Sequence, residues 1–205
     1  IRQAAIDNPN ISIAAGYLDY LLSTNKYTLN PDAFWTILLP NNTQMQNLQE
    51  TYTEMVVVDE GGQAQKRYIY LPLEVINSEE SKGDGADKLL QWSKSVEDIK
   101  KFFQYHIIPG ILYVNDGYSH VVFNTGRVQP DALATTALKD GLNSTFVRIQ
   151  KDVANGNNLQ FSSSGYSADE KTISVVKGVK NSNIFAPKAV IHEVDGYLMY
   201  KSLAR

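Results

Sequence analysis

The chain carries three histidines, His106, His120 and His192, and these are the side chains best suited to metal or acid–base chemistry. A zinc site needs two or three such ligands held close together, with further groups that orient them. No two of the histidines stand two or four residues apart, so neither a strand nor a helix would by itself align a pair. We predict no metal site and no cofactor.

A nucleophilic hydrolase would need a serine, a histidine and an aspartate that converge, with the serine on a strained turn. The serine-rich run Ser162–Gly165 lacks the G-x-S-x-G frame and is typical of a plain loop. Asp195 follows His192 by three residues, but Asp195–Gly196 is first of all a hairpin-turn dipeptide. We predict no catalytic residue. Two carboxylates can converge from any distance in the sequence, so a glycan-acting hydrolase stays open as the alternative.

Tyr68 and Tyr70 fall on the same face of the chain if residues 67–71 form a strand. An exposed aromatic pair of this kind stacks on sugars or fills a pocket of a protein partner, and edge-strand packing is the plainer interpretation. Pro72 restricts this stretch to an edge strand or an irregular segment.

Composition excludes several classes of function. The 19 basic residues are scattered among 22 acidic ones and the net charge is -3, which disfavours binding to nucleic acid. Because there is no cysteine, disulfides and thiolate chemistry are excluded. No stretch approaches the ~18 apolar residues of a membrane span. The chain opens at Ile1, and we interpret it as a fragment or mature form whose targeting segment lies outside this sequence.

Helix and strand signals alternate in the first third of the chain. Apolar residues recur at helical spacing between Ile11 and Leu22, with Asn10 as the expected N-cap, and a short helix is expected from Asn41 to Leu48. The strongest helical stripe consists of Leu89, Trp92, Val96, Ile99 and Phe103. The run Thr36–Leu39, stopped by Pro40, is typical of a buried strand.

Strand signals dominate after about residue 118, and residues 55–58 and 67–76 are also β-rich. Asn155–Gly156 is expected to join two strands, and Asp195–Gly196 is expected to join 190–194 to 198–200. Most of the expected helices precede most of the expected strands in the sequence, and this order predicts an α+β fold.

Three segments resemble the fasciclin family. Residues 27–48 are similar to its first conserved block, with Thr36 to Pro40 in the position of the block's strand. Residues 102–112, F-F-Q-Y-H-I-I-P-G-I-L, are close to the pattern L-x-Y-H-V-V-P-G, so that Tyr105, His106, Pro109 and Gly110 match. Residues 183–199 are similar to the second block; Asn183, His192 and Asp195 match it, while Lys188 and Ala189 replace the usual Asn-Gly.

This resemblance implies one domain over residues 1–205, with an insertion at about 59–87 that has no counterpart in the family. It also implies a wedge-shaped β-sandwich with several helices packed on one flank. His106 and His192 are expected to be structural, since the first precedes a Pro-Gly turn and the second alternates with Val190 and Val194. The alternative is that Tyr105 and His106 help to present a receptor-binding surface.

The function that the resemblance implies is adhesion or ligand binding without catalysis. The expected partner is a cell-surface or matrix protein, or a glycan. We expect an extracytoplasmic location, at the cell surface or in the periplasm, in a bacterial exported protein with tandem fasciclin-like domains and a lipid anchor outside this chain. A structural spacer that positions a neighbouring domain is the other alternative.

Overall fold

A computed structural model describes residues 1–52, 55–58, 64–67, 96–97, 99–116, 121–128, 146–154, 158–163 and 172–198 of the chain. Its helices are α1 (Arg2–Asp7), a 3₁₀ turn (Pro9–Ile11), α2 (Ser12–Ser23), α3 (Asn42–Tyr52) and residues 96–97 and 99–105, which we call the Phe102 helix. Its strands are β1 (Trp35–Pro40), β2 (Met55–Val58), β3 (Ala64–Arg67), β4 (Ile107–Pro109), β5 (Val121–Val128), β6 (Phe146–Ala154), β7 (Asn158–Ser163), β8 (Thr172–Ser174), β9 (Ile184–Ala186) and β10 (Ala189–Val194).

Two four-stranded sheets carry the architecture. The first is mixed, with the order β4-β1-β10-β9, and its central strands β1 and β10 run parallel with Trp35 opposite Ala189 and Pro40 opposite Val194. The second is antiparallel, with the order β5-β6-β7-β8. Together with the helices these sheets confirm the predicted α+β class.

Alternation along β1 divides the core into two layers. Ile37 and Leu39 face the cluster that includes the buried faces of α2 and the Phe102 helix, whereas Leu38 faces the cluster shared with β7 and β8. Successive side chains of a strand point to opposite faces, so a strand with five consecutive buried residues must be covered on both sides. The mixed sheet is therefore the middle layer, between the helices and the antiparallel sheet.

Most of the expected elements are present. The helix predicted from Ile11 is α2, which begins one residue later, and the helix predicted from Asn41 is α3, whose first turn is capped because the Asn41 side chain accepts from the amide of Gln44. The expected cap at Asn10 is wrong: the N-cap position of α2 is Ile11, and its side chain makes no capping hydrogen bond. Asn8 caps the preceding 3₁₀ turn instead, where its side chain accepts from the amide of Asn10. Val96, Ile99 and Phe103 of the helical stripe are buried, while Leu89 and Trp92 lie outside the described residues.

Two antiparallel strand pairs, β6–β7 and β2–β3, test the predictions for these parts of the chain. β6 and β7 pair antiparallel with Ala154 opposite Asn158, as predicted, although the turn residues 155–157 lie outside the described part of the chain. β2 pairs with β3, so the expected strand over 55–58 is confirmed. Of the stretch 67–76 only Arg67 is described, and β3 falls within the predicted insertion at 59–87, which stays a prediction.

The hairpin expected at Asp195–Gly196 does not form. Tyr197 and Leu198 are not in a strand, and β10 has β1 and β9 as its neighbours in the sheet. A two-residue hairpin of type I′ needs a positive φ at both turn residues, and neither Asp195 nor Gly196 has one. The hairpin instead lies at Pro187–Lys188, between β9 and β10, where Lys188 has φ 57°. A proline followed by a residue with positive φ is the pattern of a type II turn.

Candidate functional site

Polar residues of the first and third resembling segments hold one stretch of backbone, residues 110–116, which we call the crossing segment. Thr36 lies on β1 and is fully buried. Its hydroxyl donates to the carbonyl oxygen of Gly110 at 2.8 Å and accepts from the amide of Leu112 at 2.9 Å. The segment thus leaves β4 and is fixed across β1 by a single side chain.

Replacement of Thr36 with valine keeps the shape of the side chain but leaves the Leu112 amide and the Gly110 carbonyl without this partner. We expect the free energy of unfolding to fall by about 1–3 kcal/mol, because an unpaired buried polar group costs that much. Urea denaturation followed by circular dichroism measures it. Thr36→Ser, which keeps the hydroxyl, is the matched control, and a valine variant as stable as the serine variant would contradict this role for the hydroxyl.

His192 fixes the crossing segment over the next strand, β10. Its Nδ1 accepts from the amide of Asn183 at 3.2 Å, and its Nε2 is 2.8 Å from the carbonyl oxygen of Leu112. Since Nδ1 accepts, the proton of the neutral ring is on Nε2, which donates to Leu112. Both nitrogens of this fully buried ring are therefore occupied by backbone groups.

Asn183 and Lys151 hold the far end of the segment. The Asn183 side chain accepts from the amide of Val114 at 3.1 Å, and Asn183 has φ 52°, a conformation that asparagine tolerates better than most residues. The buried Lys151 of β6 donates to the carbonyl oxygen of Asp116 at 2.7 Å. Burial lowers the pKa of Lys151, and the charge of Asp116 opposes that shift. The segment is thus fixed from both sheets.

His106 performs a similar task at the end of the Phe102 helix. Its Nδ1 is 2.9 Å from the carbonyl oxygen of Phe102, an acceptor that the helix end leaves free because the His106 amide donates to Phe103 instead. Its Nε2 accepts from the amide of Leu198 at 3.0 Å. The proton is accordingly on Nδ1, the opposite tautomer from that of His192.

Both histidine rings are poor acid–base groups at neutral pH. Burial lowers the pKa of His106 from 6.5 to about 4, against a smaller opposing contribution from its hydrogen bond to Phe102. Burial also lowers the pKa of His192, while the Leu112 carbonyl and the charge of Asp116 oppose the shift. A general base needs a free nitrogen within reach of a substrate, and neither ring offers one. Each of the two histidines joins two separate backbone groups by hydrogen bonds and so has a structural role.

Asp195 and Gly196 also act within the fold. The Asp195 carboxylate accepts from the amide of Ser174 at 2.6 Å, and the Asp195 amide donates to the Ser174 carbonyl at 3.0 Å, so this residue ties β10 to β8. A Cβ atom on Gly196 would lie 2.8 Å from Cγ2 of Ile173, which is closer than packed atoms allow. The close approach of Ile173, and not a hairpin turn, therefore explains the glycine at position 196.

The other predicted residues occupy different positions. Tyr105 is as deeply buried as His106, so binding through these two side chains stays a prediction that their burial disfavours. Pro40 ends β1 and is buried, and Pro109 is exposed at the end of β4. Gly110 has φ 100°, a conformation that glycine adopts readily, and its amide donates to Phe34. Tyr68 and Tyr70 lie outside the described residues.

Exposed apolar side chains gather at the end of the crossing segment. Phe185 of the edge strand β9 is 74% exposed, and its ring centroid lies 6.2 Å from that of Tyr113. Phe185 stands opposite Val190 and so points to the face of the sheet that the crossing segment covers. Val179, in the turn before β9, is 100% exposed.

Phe185 and Val179 border an open depression of about 770 Å³, which we call the Phe185 groove. It is lined by Val114, Asn115, Lys177, Gly178, Val179, Ser182, Asn183 and Phe185. One wall is the end of the crossing segment, and the other is the stretch between β8 and β9. Asn183 belongs to this groove and also holds the crossing segment, so the scaffold residues fix the shape of the exposed site.

Sequence reasoning did not single out Tyr113, Val179 or Phe185. Phe185 occupies an unspecified position within the block that residues 183–199 resemble. The available signal was the combination of a three-residue strand and a following Pro-Lys turn, which is typical of an exposed sheet edge.

Within the described residues, no group of three or more histidine, cysteine, aspartate or glutamate side chains is placed to hold a metal ion. In the same part of the chain, no helix is both long and apolar enough to cross a membrane.

Comparison with known proteins found similarity to solved structures. No protein-family model matches the chain, and no curated protein is significantly similar to it. Among solved structures, the chain is similar to the FAS1 domain pair from the insect cell adhesion molecule fasciclin I, with 11% sequence identity and a TM-score of 0.49. The alignment covers 98% of this chain and 51% of the domain pair, so the chain spans about half the length of that structure. Membership of the fasciclin family stays a prediction from the sequence segments.

Proposed function

We propose that the chain is a non-catalytic adhesion module that binds a protein or a glycan outside the cytoplasm and does so through the Phe185 groove. Phe185 is the observation that carries the proposal: a large aromatic side chain of a sheet edge is left mostly exposed beside Tyr113 and Val179. Aromatic side chains at the rim of a concavity are the usual anchors of a binding interface.

The buried polar residues support a passive mechanism. The polar side-chain groups of Thr36, His106 and His192 form hydrogen bonds with backbone atoms. These residues therefore rigidify the scaffold and are not directed at a substrate. A rigid scaffold lowers the entropy lost when a partner binds, because the groove already has its bound shape. The location at a cell surface or in a periplasm, a bacterial source, tandem domains and a lipid anchor remain predictions of the family resemblance.

Phe185→Ala is expected to weaken binding strongly without affecting stability. Beads coated with the protein are tested under flow for adhesion to surfaces that carry purified matrix proteins or glycans. We expect adhesion to fall by at least about tenfold for Phe185→Ala, since anchor residues contribute on that scale. Phe34→Ala is the matched control, because Phe34 is also exposed, at 57%, but does not line the groove. Melting temperatures of both variants should equal that of the parent protein.

Two outcomes would overturn the proposal. If the parent protein adheres to none of the surfaces, the structural-spacer alternative is favoured. If the protein reproducibly hydrolyses a glycan and the activity is lost in Asp195→Asn, the chain is an enzyme and the adhesion mechanism is wrong. Loss of adhesion in Phe185→Ala, together with retention in Phe34→Ala, supports binding through the groove.

A further inference from the structure

Charge distribution around the Phe185 groove indicates what kind of partner it takes. Residues 177–188 contain three lysines, Lys177, Lys180 and Lys188, and no acidic residue, although the chain as a whole has a net charge of -3. All three lysines are exposed. The ammonium group of Lys188 donates to the carbonyl oxygen of Pro31 and lies 3.9 Å from Asp32. Lys177 is one of the residues that line the groove. The groove is therefore lined by apolar and polar residues together, and Lys177 places a positive charge at its border.

The backbone next to the groove indicates the conformation of the partner. β9 is an edge of the mixed sheet, and among the described residues it pairs with β10 alone. An edge strand presents backbone amides and carbonyls on its outer side, and an added extended segment can pair with them. Side chains alternate along such a segment, so one residue would lie on the face where Phe185 points and its neighbours would face away.

We propose that the Phe185 groove binds an acidic protein segment in extended conformation, which adds to β9 as a further strand and places an apolar side chain beside Phe185. The apolar contact with Phe185 and Val179 provides anchoring, and the lysines select acidic flanking residues. Because β9 has three residues, few backbone pairs can form, and the dissociation constant is expected to be on the order of 10–100 µM. This inference rests on the proposed function and names the partner of the same site.

Fluorescence anisotropy with designed peptides tests the proposal. The probe is a fluorescein-labelled ten-residue peptide in which glutamate alternates with valine and phenylalanine, and its twin has lysine in place of every glutamate. We expect the acidic peptide to bind at least about tenfold more tightly than its basic twin, and to lose about three- to tenfold in affinity between 50 and 500 mM salt. A third peptide with N-methylated backbone amides should not bind, because it cannot pair with β9.

Variants of the protein separate the contribution of Phe185 to peptide binding from that of the lysines. Phe185→Ala and the double variant Lys177→Glu, Lys180→Glu are each expected to weaken the acidic peptide by at least about tenfold, and the double variant should reverse the preference toward the basic twin. Phe34→Ala should leave binding unchanged. Melting temperatures confirm that each variant is folded, and all of the altered side chains are exposed.

Each outcome decides the matter. Equal binding of the acidic and basic peptides, or binding that survives Phe185→Ala, overturns the inference. Binding to vesicles of phosphatidylserine and phosphatidylcholine without binding to the peptide also overturns it, since the positive surface would then serve a membrane. If bead adhesion persists and depends on Phe185 while the peptide does not bind, this inference fails and the proposed function stands. If adhesion is absent as well, both fail.

Discussion

His106→Ala is expected to lower the free energy of unfolding by about 3–5 kcal/mol. The substitution removes a fully buried ring and leaves the Phe102 carbonyl and the Leu198 amide without their partners. Each unpaired buried group costs about 1–3 kcal/mol, and the cavity left by the ring adds to the loss. The ring also packs on Phe102, with a centroid distance of 4.2 Å, so apolar contact is lost too.

Urea denaturation at pH 7 measures this change through the unfolding midpoint. His106→Gln is the matched control, because its amide can still serve one of the two backbone groups, and it should lose clearly less stability than alanine. The affinity of the Phe185 groove should remain within about twofold for folded His106→Ala, since additivity holds for sites that share no partner. An unchanged midpoint together with lost binding would show that His106 contacts the partner directly.

Stability is also expected to fall steeply with acid, well before the carboxylates titrate. The pKa of His106 is about 4 in the folded protein and 6.5 when the chain is unfolded. Between these values the unfolded state binds more protons than the folded one, so stability is complete above pH 6.5 and is lost as the pH falls toward 4. The complete shift corresponds to roughly 3 kcal/mol, of which about 2 kcal/mol falls between pH 7 and pH 5. His192 contributes in the same direction, because burial lowers its pKa as well.

The geometry gives a reason for this sensitivity. Protonation of His106 would place a second N–H against the Leu198 amide, where the neutral ring accepts a hydrogen bond. Unfolding midpoints in urea at pH 7, 6 and 5 provide the measurement, and aspartate and glutamate stay largely ionised over that range. His106→Gln should be less stable at pH 7 yet lose about 2 kcal/mol less than the parent protein between pH 7 and pH 5. Equal acid losses in the two proteins would contradict the assignment.

Local elements could be predicted because their signals are local. The apolar spacing within α2, the uninterrupted apolar run of β1 and the asparagine cap of α3 each involve a few neighbouring residues, and all three elements are present. The division of helices and strands along the chain was likewise sufficient for the α+β class. The burial of His192 followed from its alternation with Val190 and Val194 on one strand.

The positions of hairpin turns were harder to predict from the sequence, because a dipeptide that favours a turn does not require one. Asp195–Gly196 has the residues of a hairpin, yet β10 already lies between β1 and β9 and has no free edge for a returning strand. Lys188 is an unfavourable residue for a positive φ, and the hairpin nevertheless forms there because β9 and β10 pair on both sides of it. Tertiary context therefore outweighed local preference in both places.

The sequence by itself determined which residues are apolar, where helices and strands alternate and which polar residues belong to the resembling segments. Only the tertiary structure decided what those polar residues do. Thr36 and His192 are 156 positions apart in the chain, yet both bind Leu112, because β1 and β10 run side by side. Only the structure, too, distinguished the exposed Phe185 from the half-buried residues on either side of it. Exposure depends on which surface the crossing segment and the antiparallel sheet cover, and contacts between distant parts of a chain leave no signal in local spacing.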